Sequence, residues 1–229
     1  MSTLFRKTLI GLVAVLAFSA VAASTASAHR VWSYNGVELK VGEAKPIKVV
    51  KVVENFRLKA GTTTITCTKV ALTGGAIENI TGPTGRDKGK VDFTGCSNGT
   101  CKVTEPIVVK GETTALVENT GKSKIYDLFT PKGWTEEKPT VNGEFAEIKQ
   151  TGTGCITATK VEGNGVAAEI SPEGNSTTKV LTFPCPRITE IINWKGTTVK
   201  LKLTAFGVNA EECGQVEIGV EAPNTFDVK

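Results

Sequence analysis

Apolar and polar residues alternate with a period of two along much of the chain. In VELKV, Val37, Leu39 and Val41 fall on one face. In TVKLKLTA, Val199, Leu201 and Leu203 share a face while Lys200 and Lys202 point the other way. QVEIGVE repeats the pattern with Val216, Ile218 and Val220. Successive side chains of a strand point to opposite faces, so this alternation predicts half-buried antiparallel strands. Thr and Val, which suit a pleated and half-buried surface, are abundant. The 24 glycines fall mainly between the runs, beside Asn, Pro or Thr, where they punctuate turns. No window of helical period is long enough to place a helix. Many short strands separated by turns make an all-β protein, whether sandwich, jelly roll or barrel. An antiparallel β-sandwich or jelly-roll-like arrangement is the expectation.

An internal echo bears on how that fold is divided. Cys67 and Cys96 are 29 residues apart, and Cys155 and Cys185 are 30 apart. Lys90-Val91 and Lys179-Val180 precede the second cysteine of each pair, and Thr104-Glu105 and Thr189-Glu190 follow it. KGETT at 110–114 then answers KGTT at 195–198. Two similar halves, about 44–129 and 144–229, would result from duplication. Chance similarity between Thr-, Lys- and Val-rich strands is the competing explanation. TPKGWTEEKPTVNG, 130–143, reads as the loop between them.

The N-terminus changes the compartment. Arg6 and Lys7 precede an apolar run from Leu9 to Ala22, and Ala26-Ser27-Ala28 is a small-x-small box. That is the pattern of a secretory signal peptide over residues 1–28. The run is shorter than the roughly 20 residues a membrane span needs, and no second apolar stretch of spanning length follows. Cleavage after Ala28 would place His29, the only histidine, at the start of a mature region 29–229. An N-terminal amine and imidazole can chelate copper, but no second histidine completes such a site. No metal site and no cofactor are therefore expected.

Of the 27 basic residues, only Arg6 and Lys7 lie in residues 1–28, which leaves 25 against 23 acidic ones. That near-balance, with lysines spread along strands, argues against a nucleic-acid partner. Six cysteines remain: Cys67, Cys96, Cys101, Cys155, Cys185 and Cys213. Their even number in an exported chain predicts three disulfides. Zinc would call for CxxC pairs or several histidines, and the chain has no CxxC and a single histidine. CSNGTC sets Asn98-Gly99 as a two-residue type I′ turn, which makes Cys96 and Cys101 a non-hydrogen-bonded pair about 4.5 Å apart, within disulfide range. The echo adds Cys155–Cys185 and leaves Cys67–Cys213. A rival scheme pairs Cys67–Cys96, Cys155–Cys185 and Cys101–Cys213.

HRVWSYNGVELKVGE and GGAIENITGPTGRDKGKVDFTGCSNGTC together resemble a set of secreted β-rich proteins of soil actinobacteria. Those proteins carry a histidine–aromatic–Asn-Gly start after a signal peptide, and a Gly-rich "EN" turn leading to paired cysteines. The likeness covers about residues 29–43 and 67–101. It implies a secreted bacterial β-protein and carries no activity with it.

Residue chemistry narrows the function further. A nucleophile–histidine triad lacks both a usable histidine and a G-x-S-x-G elbow. No calcium or phosphate loop is present. Paired carboxylates of the glycosidase kind remain open, with Glu136, Glu137, Asp127 and Glu144 as candidates. Adjacent Glu136 and Glu137 would point to opposite faces of a strand. GRDKG at 85–89 reads as a charged, Gly-flanked turn. The sequons at Asn79, Asn98 and Asn175 read as Asn/Gly turns. Trp32 and Trp194 sit in or beside apolar runs and read as core. Trp134, in a Pro/Gly/Glu loop with Lys132 and Glu136, is the one tryptophan expected to be partly exposed, and so the candidate contact for a cell-surface or extracellular polysaccharide. The expectation is a secreted, non-catalytic β-module for extracellular binding, adhesion or envelope association, with no assigned catalytic residue. A polysaccharide-active enzyme using paired carboxylates is the alternative.

Overall fold

The structure is a computed structural model that describes residues 30–81, 84–99, 101–110, 112–119, 124–134, 138, 140–192 and 197–229, without the side chains of 112–119. The expected signal segment 1–28, His29, Glu136, Glu137 and Trp194 lie outside the described residues.

Among the described residues there are nineteen strands and no helix. The first five are β1 (Trp32–Tyr34), β2 (Val37–Glu38), β3 (Ala44–Pro46), β4 (Lys48–Ala60) and β5 (Thr63–Ile80). Next come β6 (Thr84–Asn98), β7 (Cys101–Val103), β8 (Ile107–Val108), β9 (Glu112–Asn119) and β10 (Lys124–Thr130). β11 (Gly143–Thr151), β12 (Ala158–Gly163), β13 (Val166–Ser171), β14 (Thr178–Phe183) and β15 (Glu190–Ile192) follow. The last four are β16 (Thr198–Lys200), β17 (Leu203–Ala205), β18 (Val208–Gly219) and β19 (Phe226–Val228).

The main sheet closes into an eight-stranded barrel in the order β17-β12-β11-β7-β6-β5-β4-β18, with β17 pairing back onto β18. All its pairings are antiparallel. This corrects the expected sandwich or jelly roll. The period-two pattern is the same for both architectures, so alternation could not choose between them. Closure depends on β18, whose pairing with β4 shifts register after Cys213, Gln215 and Glu217. Each shift bends the strand and adds twist, which brings the sheet's edges together. The C-terminal part of β18 also carries β14, and from there the sheet continues through β13 and β10 to β9, which runs beside β6. Strands from 44–129 and 144–229 interleave in this one sheet, so the two stretches do not form separate units.

Both faces of β10 are covered, which is why KIYDLFT is buried at nearly every position. Ile125 and Phe129 pack into the main core, while Tyr126 and Leu128 join a second cluster with Ala167, Ile191, Val199 and Leu201 beneath the β15–β16 hairpin. Val199, Leu201 and Leu203 are buried and their neighbours Lys200 and Lys202 are exposed, as the alternation predicts; Val216, Ile218 and Val220 are buried too. VELKV departs from its pattern. Only Leu39 is buried: Val37 lies on the surface because β2 pairs as an edge of the small β19-β1-β2 sheet, and Val41, past the end of β2, is exposed at an isolated bridge to Asn79.

Asn79 fastens that small sheet to the barrel. Its Oδ1 accepts from the Trp32 N–H at 2.7 Å, and its Nδ2 donates to the carbonyls of Trp32 at 3.0 Å and Leu39 at 2.8 Å. The expected turn at this sequon is a buried position in β5 instead. Trp32 is 1% exposed and packs on Phe226, as a core residue should.

All six cysteines form disulfides, but the pairing is Cys67–Cys96, Cys101–Cys155 and Cys185–Cys213. Cys67 lies directly opposite Cys96 in the β5–β6 ladder. The expected Cys96–Cys101 bridge fails by register. Asn98, not Cys96, faces Cys101 across the turn, and this moves Cys96 out of reach. Cys101 instead reaches Cys155, 54 residues away, in the segment after β11. Of the rival scheme, only Cys67–Cys96 is found. Three disulfides fit an oxidising compartment. No helix among the described residues is long and apolar enough to cross a membrane.

Candidate functional site

The inner faces of the barrel and of the sheet that continues from β18 line a partly open cavity of about 140 Å³. Its wall is almost wholly apolar. Val49, Leu58, Val70, Leu72, Phe93 and Phe129 pack on the main core yet keep some accessible surface, as residues facing an unfilled space do. Four phenylalanines form a connected group along it. Phe56 meets Phe93 edge-on at 5.0 Å and Phe183 at 5.4 Å, and Phe183 meets Phe129 at 5.4 Å. Offset and edge-on rings are the arrangement their quadrupoles favour. Gly214 makes room for Phe56: its φ is +154°, and a Cβ there would lie 2.9 Å from Phe56 atoms. Phe183 is its ladder partner on the other side.

Two acids reach this apolar space. Glu212 stands on β18 opposite Leu58 of β4, one pleat from Gly214 on the same face. It is half-buried and lines the cavity. Burial alone pushes its carboxyl up to about 7 from 4.5. The other acid is Asp87 of β6, which also lines the cavity and is buried. Its side chain is hydrogen-bonded to Asp127 of β10, which is 2% exposed. Burial raises Asp87 to about 6, against the pull of the Asp127 hydrogen bond and a backbone one. Asp127 is pushed well above the carboxylate range, first by burial and then by the negative charge of Asp87 and the hydrogen bond between them. Asp127 therefore keeps its proton and donates to Asp87: two carboxyls in a low-dielectric core cannot both ionise.

GRDKG is thus part of strand β6, not a turn, and its charges serve two faces. Arg86 and Lys88 grip the buried Glu78 on β5, with Lys88 Nζ 2.7 Å from the carboxylate. The Lys88 hydrogen bond, then that of Arg86, hold Glu78 below the usual range despite its burial. Asp87 points the other way, to Asp127. Glu144, another candidate acid, is held on β11 by Lys110 and by Lys160 at 3.2 Å, which keep its carboxyl low. Asn98, read as a turn, ends β6 and donates to Gln150 at 3.0 Å.

Trp134, expected to be partly exposed, is buried. Trp134 is 7% exposed and belongs to the second core cluster, so its ring is not a face that a sugar could stack on. Lys132 is exposed beside it. Glu136 lies outside the described residues. Among the described residues no group of three or more His, Cys, Asp or Glu is placed to hold a metal ion.

In comparisons with known proteins, the chain matches no family model, no curated protein and no solved structure. The class defined by fold and site is an all-β, disulfide-stapled barrel with an aromatic-walled internal cavity.

Proposed function

We propose that the protein is a secreted, non-catalytic binding module whose barrel interior takes a small apolar molecule. The observation that carries this reading is the cavity itself: about 140 Å³, walled by five phenylalanines, Phe145 among them, and by aliphatic side chains. Apolar cavities near this size stay dry and accept ligands of about the size of benzene. Export would follow cleavage after Ala28, and the three disulfides support an extracellular setting.

The paired-carboxylate alternative gains little from the geometry. Glycosidase carboxyls stand about 5–10 Å apart around a sugar. Asp87 and Asp127 share a hydrogen bond inside the core, with no room for a sugar between them.

The test is a titration of the secreted protein with toluene, followed by melting temperature and by amide shifts along β4, β14 and β18. A raised melting temperature with shifts on those strands is expected, since a ligand that binds only the native state stabilises it. No change in either would overturn the reading.

A further inference from the structure

We propose that the cavity selects apolar molecules that carry a protonated amine, and that Glu212 is the group that receives the amine. The proposal deepens the reading of the chain as a binder of small apolar molecules and rests on it.

The register of β18 supplies the geometry. Along one face run Ala210, Glu212, Gly214, Val216 and Ile218, and this face looks into the barrel. Glu212 is the one acid in that row. Leu58 stands opposite it on β4, and Phe56 is the next residue on the same face of β4. Diagonal neighbours of this kind lie about 7–8 Å apart, which is one small ligand's width. Phe183 closes the other side, as the ladder partner of Gly214. A molecule lying against Phe56 and Phe183 therefore has its end group at Glu212.

The chemistry at that end selects a cation. The Glu212 carboxyl has no hydrogen bond or ion pair among the described residues to offset its burial. Its nearest wall neighbours, Leu58 and Phe56, offer aliphatic carbon and a ring face; of the two cations in the lining, Lys88 is held by Glu78, and Arg57 points from the exposed side of β4. A protonated amine would supply both the missing counter-charge and the missing donors, and an adjacent ring face attracts the same cation. A carboxylate ligand would meet a like charge. A neutral hydrocarbon would leave the acid as it is.

The experiment compares toluene, benzylamine and benzoate, three ligands of one ring and different charge, by calorimetric titration at pH 7.5. Benzylamine is expected to bind the wild type about tenfold or more tighter than toluene, the scale of one charge-assisted hydrogen bond. Benzoate is expected to be the weakest. In Glu212→Gln, the ratio of benzylamine to toluene affinity is expected to fall to about one. Because the ligand comparison on the wild type stands without any variant, a poorly folding Glu212→Gln protein would not remove the test. Toluene binding with no preference for benzylamine would overturn the amine proposal and leave the apolar-binding reading standing. So would a benzylamine preference that persists in Glu212→Gln. Binding of none of the three would overturn both.

Discussion

Replacing Asp127 with asparagine should make the protein less sensitive to rising pH. Asp87 and Asp127 are buried between β6 and β10 and share a hydrogen bond. In the unfolded chain both would lose their protons near 3.8. In the folded chain burial raises Asp87 to about 6, and Asp127 is raised well above the usual carboxylate range, first by burial and then by the charge of Asp87. The folded state thus holds protons that the unfolded state has released. The pair's contribution is fully present below about pH 4 and is lost as pH rises through 6 and beyond. For Asp87 alone, a rise from 3.8 to about 6 corresponds to about 3 kcal/mol. In the Asp127→Asn variant the side-chain amide would donate to Asp87 through its Nδ2 with no proton to take up, and the like charge would be gone. Urea unfolding of wild type and Asp127→Asn at pH 5, 6, 7 and 8 measures this. The variant is expected to gain on the wild type as pH rises, by about 1–3 kcal/mol over the series. Glu212 acts in the same direction up to about 7, so the difference between the two proteins, not either curve alone, is the readout. A difference that stays constant from pH 5 to 8 would refute the shared-proton account.

Other substitutions test the scaffold. Asn79→Ala leaves the Trp32 N–H and the carbonyls of Trp32 and Leu39 without their partner, and should lower unfolding free energy by about 2–4 kcal/mol in the same urea assay. Lys179, 1% exposed, donates to the carbonyls of Pro172 and Gly174 and to Asp227 at 3.0 Å. Lys179→Met should cost about 3 kcal/mol, because it strands a shielded carboxylate; a neutral effect would show that Asp227 finds water instead. Non-reducing peptide mapping is expected to yield Cys67–Cys96, Cys101–Cys155 and Cys185–Cys213 peptides, and a Cys96–Cys101 peptide would contradict the β6–β7 register.

The strand content was legible because alternation is local. Val199, Leu201 and Leu203 announce their face without reference to anything distant. Barrel closure was not, because it depends on where β18 bulges and on β17 finding two partners, and neither leaves a mark on period two. The disulfides show the same limit: six bridging cysteines follow from count and compartment, but their pairing turned on the register at Asn98. Asp127 was named only as one of four candidate carboxylates, although its place in the apolar run KIYDLFT is a local sign of burial. Its partner Asp87 was hidden in GRDKG, whose glycines and charges read as a turn until β5 is placed beside it. Glu212 was within reach of the sequence. The even positions of Val216, Ile218 and Val220 extend back through Gly214 to Glu212, and that parity puts the acid inside. Trp134 misled because proline and glycine mark an irregular backbone, while the burial of its ring depends on the distant β15–β16 hairpin.

What occupies the space between Phe56 and Phe183 decides the central claim most directly. Crystals of the protein exposed to bromobenzene, measured at the bromine absorption edge, would locate the ligand by its anomalous signal. A bromine peak inside the barrel, in contact with Phe56 and Phe183, is the expected result. Bromine found only on the outer surface, or nowhere, would contradict the binding of apolar molecules in the barrel.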